Sequence, residues 1–134
     1  MSPRQSAVIA EVRHESRGLI LVTELIGRAG INVLMDHVRS HYDEWLLHDR
    51  LIYDVSDWDV ESLTSDALRQ LPESFKSLIA AREHTWVAVV IAPHLEDLAK
   101  ILVAIFETED VPVQITYFFD QPAAEDWLLE CGQG

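Results

Sequence analysis

A single cysteine, Cys131, stands near the C-terminal end of the 134 residues. That excludes an internal disulfide and a multi-cysteine zinc site, and it fits a reducing, cytoplasmic setting. Basic residues are also scarce: ten Lys and Arg against 23 Asp and Glu leave a net charge of −13. Phosphate backbones and anionic lipid surfaces would be repelled by such a field, and the ten cations form no block to override it. Nucleic acid is therefore not an expected partner. No apolar run approaches the ~20 residues of a membrane span, and the opening "MSPRQSAVIA" is too short and polar to supply a secretory h-region. With only five glycines and five prolines there is no repeat, low-complexity tract or interdomain linker.

What is present is apolar side chain, 49% of the chain, enough for one substantial core. One domain is expected over 7–131, between a disordered 1–6 and a short tail, 132–134. Residues 7–12, "AVIAEV", and 18–24, "GLILVTE", are β-prone runs joined by the polar "RHESRG", which predicts an opening hairpin. Ile31, Leu34, Met35, Val38, Tyr42, Trp45 and Leu46 then fall at helical offsets, predicting one helix over about 31–47 with Asn32 as a candidate N-cap.

"RLIYDVS" at 50–56 is nearly continuously apolar up to Asp54, as an interior strand covered on both faces should be. A helix with Leu68, Leu71, Phe75, Leu78 and Ile79 follows, interrupted or restarted at Pro72. "TWVAVVIAP" at 85–93 predicts a central strand, and 94–108 a helix with Leu95, Leu98, Ile101, Leu102 and Ile105 on one face. A strand at 111–120 and a closing helix in "QPAAEDWLLE" complete the order, with Ala124, Trp127 and Leu128 on the buried side and Pro122 in its first turn. A hairpin followed by βα units gives an α/β fold: a mixed five-stranded sheet with about four helices.

Three chemistries deserve weighing. Asp54, Asp57 and Asp59 follow an inner strand, where open α/β sheets place ligands, and three carboxylates could hold Mg²⁺ for phosphoryl transfer. A receiver-type acidic pair, a late lysine and an Asp-x-Asp motif at Asp54 are all missing, which favours strand-end caps and a solvated loop. His37, His41 and His48 fall at offsets of four and seven, with Glu44 between, and imidazoles one turn apart can share a metal. They lie beside the apolar stripe and the sequence implies no further ligand, which favours a solvated helix flank, so neither metal nor cofactor is expected. Trp58, in an acidic loop, is a candidate surface contact, while Trp45, Trp86 and Trp127 fit core periodicities.

The turn "IGRAGI", the strand "LIYDVS" with its polar loop and helix, "WVAVVIAP" after a helix end bearing Arg82, and the terminal "ITYFFDQPAAEDWL" carry a resemblance. Over roughly 7–130 the chain resembles the SpoIIAA-like family, a bacterial branch of the STAS fold related in shape to CRAL-TRIO lipid-binding domains. The resemblance implies a non-catalytic module that binds a protein partner or a small apolar ligand, with 94–108 as a lid presenting Leu98, Leu102 and Ile105.

In STAS-type anti-sigma factor antagonists a serine after the corresponding strand is phosphorylated, within an Asp-Ser pair followed by glycine. Laying Asp54 and Ser56 on that strand end puts Leu63 in the serine's place, with no glycine after it. Ser62, Thr64 and Ser65 are the nearby phosphorylation candidates, and Asp54, Ser56, Asp57, Trp58 and Asp59 the candidate partner surface. Exposed apolar helix faces would also permit a homodimer.

Overall fold

Alternation of side chains along the strands sorts the core into two layers. In the computed structural model, which describes residues 11–29, 31–60, 69, 84–108 and 112–131, the sheet runs β1 (Glu11–Arg17), β2 (Ile20–Ala29), β3 (Arg50–Asp54), β5 (Thr85–Val90), β6 (Val113–Phe118). β1 is antiparallel to β2, and the remaining neighbours are parallel. A short strand, β4 (Trp58–Val60), pairs with the far end of β2, where Gly27 adopts φ +97° and donates its N–H to Asp57 O at 3.2 Å. The mixed five-stranded sheet is as expected, and β4 is an addition to it.

Leu21, Leu25, Leu51, Tyr53, Val55, Val87, Val89 and Ile91 point to one face, where they meet Met35 and Val38 of α1 (Ile31–Ser40) and Trp45 of α2 (Tyr42–Leu46). Leu95, Ala99 and Phe106, from a short 3₁₀ turn (Pro93–Leu95) and α3 (Glu96–Thr108), complete that layer. Ile20, Val22, Ile52, Ala88 and Val90 point the other way, onto Ala124 and Leu128 of α4 (Gln121–Glu130). β3 and β5 are thus covered on both faces, the reason their sequences read as unbroken apolar runs.

Four expectations need correction. The hairpin is longer than its apolar runs: "RHESR" is strand, and only Gly18 and Leu19 form the loop, with Gly18 at φ +62°. A glycine-first two-residue loop matches strand twist, and an edge strand needs no apolar surface on its outer side. The first helix is interrupted at His41 (φ −120°, ψ 34°), and α2 after the break turns Leu46 outward, 37% exposed. Helix α1 begins at Ile31, so Asn32 lies inside its first turn and is not the cap. Ile101 is also turned outward from α3, again 37% exposed. Of the helix expected around 64–79 only Arg69 is described, and it is helical; the rest of it, residues 7–10 of the expected first strand and the terminal segments 1–6 and 132–134 lie outside the described residues.

Helix α4 agrees with its sequence signals in Pro122 and in its buried Ala124 and Leu128, and its cap is a further finding. Asp120 caps it, Oδ1 accepting from Ala123 N at 2.8 Å, and Pro122 occupies the first turn. Among the described residues no helix is long and apolar enough to cross a membrane.

Candidate functional site

The carboxyl edge of the sheet gathers the polar residues singled out above. Asp54, the last residue of β3, is the register neighbour of Glu24, midway along β2. Asp54 Oδ1 accepts from Ser56 N at 3.0 Å and from Ser56 Oγ at 2.6 Å, closing a turn over Val55. Its Oδ2 accepts from Gln121 Nε2 at 2.6 Å, and the same amide nitrogen donates to Glu24 at 3.1 Å. Gln121 in turn takes a hydrogen bond from Arg17 Nη1 at 2.9 Å, and Arg17 lies 3.6 Å from Glu125.

Both oxygens of Asp54 are therefore engaged in holding β3, the turn and the start of α4 together. Asp57 is exposed, and its backbone carbonyl accepts from Gly27 N. The side chain of Asp59 and residues Ser62, Thr64 and Ser65 lie outside the described residues.

Trp58 is not the exposed loop indole that its acidic neighbours suggest. It opens β4, is 6% exposed and joins the core layer with Tyr53 and Val55. Pairing with Gly27 turns this residue inward, an effect of a long-range strand contact that local polarity does not reveal. Leu98, Leu102 and Ile105 are partly buried and pack against the same core layer. A cleft of about 170 Å³ lies instead beside the hairpin, lined by Arg13, His14, Glu15, Arg17, Val22 and Glu24. The thiol of Cys131 is pushed up by burial, with Arg50 opposing and Glu130 reinforcing, which suits an inert thiol.

The histidines form a second constellation, different from the one the helix spacing predicts. His14 on β1 shares a sheet face with Val12 and Ser16, the face covered by α1 and α2, and meets His37 and His41 there. One ligand atom from each of the three rings lies within 4.8 Å of the others. His14 Nδ1 is 2.9 Å from His37 Nε2, and the ring centroids of His37 and His41 are 4.3 Å apart. His14 Nε2 contacts the carboxylate of Glu44, and His41 Nδ1 lies 3.0 Å from His37 O.

Carboxylate and carbonyl oxygens only accept here, so those two ring nitrogens carry the protons. The free lone pairs of His14 and His41 are then on Nδ1 and Nε2, respectively. Burial lowers the His37 pKa, helped by His41 and His14 and opposed by Glu44.

His48 departs from the group. It is 9% exposed, with Nδ1 against Glu44 O at 3.0 Å and Nε2 against Ser16 Oγ at 2.9 Å, so it is a satisfied, buried residue and no part of a solvated flank. His14 is the residue sequence reasoning missed. Its signal was the inward position between Val12 and Ser16, hidden by taking "RHESR" for a loop.

No protein-family model matches this sequence, and no curated protein matches it. Solved structures do. A Shewanella loihica protein of the DUF3478 family, described as having a SpoIIAA-like fold, aligns with TM-score 0.61 and 17% identity over 93% of this chain and 99% of its own. An anti-sigma factor antagonist from Mycobacterium paratuberculosis gives 0.60 and 13%, over 91% and 96%. The anti-sigma factor antagonist SpoIIAA in its unphosphorylated form gives 0.54 and 11%, over 90% and 99%. At these identities what is shared is the fold, and the chain has the SpoIIAA-like, STAS-type fold along nearly its whole length.

Proposed function

We propose that this chain is a non-catalytic regulatory module that binds a protein partner through the carboxyl edge of its sheet, beside the Asp54–Ser56 turn. The observation that carries this is the SpoIIAA-like fold, shared almost end to end with two anti-sigma factor antagonists. The edge has suitable chemistry. Phe119, 51% exposed, follows β6 directly and is flanked by Asp120, with exposed Asp57 on the turn after β3. An aromatic among carboxylates on a chain of net charge −13 suits a partner with an apolar pocket rimmed by basic groups. In this proposal a phosphate on Ser62, Thr64 or Ser65, the candidates from the sequence along with the carboxylate of Asp59, would add negative charge and weaken or remodel the contact.

Two other readings have less support. Leu98, Leu102 and Ile105 pack on the core as ordinary helix residues do, so among the described residues these three are occupied by core packing and not by a ligand cavity. A phosphohydrolase at Asp54 would need carboxylate oxygens that here hold Ser56 and Gln121.

The test is affinity purification from the native host with the wild type and an Asp57→Lys/Phe119→Ser variant, run beside native mass spectrometry of the purified chain. A stoichiometric protein retained by the wild type and lost with the variant supports the proposal. Equal retention by both, a lipid-sized adduct, or Mg²⁺-dependent phosphate-ester turnover abolished by Asp54→Asn overturns it.

A further inference from the structure

We propose that His14, His37 and His41 form a zinc-type metal site on the β1–α1 side of the molecule, apart from the carboxyl edge. Three imidazoles converging from β1, α1 and the break after α1 are a complete protein ligand set for tetrahedral Zn²⁺ with one position left to solvent. His37 on α1 and His41 at the break after it stand at i and i+4, and His41 N still donates to His37 O at 3.1 Å, so the two keep the one-turn spacing of paired histidine ligands.

The separations fit with little adjustment. Zinc about 2.0–2.1 Å from each nitrogen needs neighbouring nitrogens roughly 3.3 Å apart. His14 Nδ1 and His37 Nε2, now 2.9 Å apart, would open by a few tenths of an ångström as the ion replaces the proton they share. His41 is exposed at the interruption between α1 and α2, and its ring can close the remaining distance.

The surroundings orient these rings as they do in metal sites. His14 presents Nε2 to Glu44, making a carboxylate–histidine–metal arrangement, and His41 presents Nδ1 to the His37 carbonyl. Each contact fixes a tautomer and leaves the other nitrogen with a lone pair to offer a metal. Imidazole donors without carboxylate or carbonyl ligands select Zn²⁺, Co²⁺, Ni²⁺ or Cu²⁺ over Mg²⁺ and Ca²⁺.

The experiment is Zn²⁺ titration of chelator-stripped full-length protein by calorimetry, with ring NMR of its six histidines. Expected are one ion per chain, shifts in the rings of His14, His37 and His41, and an unmoved His48 ring. His14→Ala and His37→Ala should each abolish the binding, Glu44→Gln should weaken it about 10–100-fold, and His48→Ala should leave it unchanged. Mg²⁺ should give no signal. Absence of Zn²⁺ binding by the unmutated protein, or full Zn²⁺ binding by a His14→Ala/His37→Ala double variant, overturns the proposal. The NMR readout needs no substitution, so a variant that fails to fold does not shield the proposal from refutation.

Discussion

Arg50, the first residue of β3, donates from Nε to Leu128 O at 2.9 Å, closing the C-terminal end of α4 from the opposite end of the sheet to its N-cap. A second donor, Nη2, reaches Cys131 O at 2.6 Å, and the guanidinium lies 5.3 Å from the Trp86 ring centroid. The last carbonyls of a helix lack partners within it, and a cation there also opposes the negative end of the helix dipole.

Arg50→Ala should therefore cost about 2–3 kcal/mol, the range for losing buried hydrogen bonds from a charged donor. Arg50→Lys should recover only part, because one ammonium cannot reproduce the fork. Urea unfolding would show a lower midpoint with an unchanged slope, and hydrogen exchange should quicken at the end of α4. Unchanged exchange there in Arg50→Ala would mean that α4 closes its own terminus.

Trp58 separates a surface role from a core role. At 6% exposure within the β4 layer, truncation to Ala should cost about 3–5 kcal/mol through lost burial and the cavity left behind. A solvent-facing indole would cost within about 0.5 kcal/mol. Denaturant unfolding of Trp58→Ala distinguishes the two.

Trp58 also shows what local sequence conveys and what it conceals. β3, β5 and α4 were legible because their burial is two-sided or strictly periodic, and Pro122 marks a helix start by local chemistry. The extent of β1 was not. Its Glu11, Arg13, Glu15 and Arg17 alternate with Val12, His14 and Ser16, and only pairing with β2 makes that polar string a strand.

The candidate sites divide in the same way. The Asp54–Ser56 turn is a contact two residues apart and follows from the quoted stretch, whereas Gln121 joins it from 67 positions away. The meeting of His14 with His37, 23 positions on, depends on which face of β1 looks toward α1.

His37 makes stability depend on pH in the metal-free protein. Its folded pKa lies below the ordinary 6.5, first through burial and then through His41 and His14, with Glu44 opposing. The unfolded chain thus takes up the proton more readily. The contribution is fully present above pH 6.5 and is lost as pH falls through the lower folded value. Chelator-stripped wild type should lose stability between neutral and mildly acidic pH, and His37→Asn, which cannot take up that proton, should flatten the slope. The check is urea unfolding at a series of pH values. Identical slopes in both proteins would place the acid sensitivity elsewhere.

Asp54 can be tested as a structural node by two substitutions that differ in what they preserve. Asn keeps one oxygen acceptor for Ser56 N and Oγ, so the turn should survive, while the bond from Gln121 Nε2 meets an amide nitrogen and fails. Ala removes all three acceptor contacts and leaves Gln121 bonded to Glu24 and Arg17 alone. Bonds to a carboxylate contribute about 1.5–3 kcal/mol each when part-buried, and they share one side chain here, so their losses will not add. Asp54→Asn should cost about 1–2 kcal/mol and Asp54→Ala about 3 kcal/mol, measured by urea unfolding. A residue whose carboxylate served only a ligand would show the opposite pattern: both variants as stable as the wild type, or more so, with binding alone impaired.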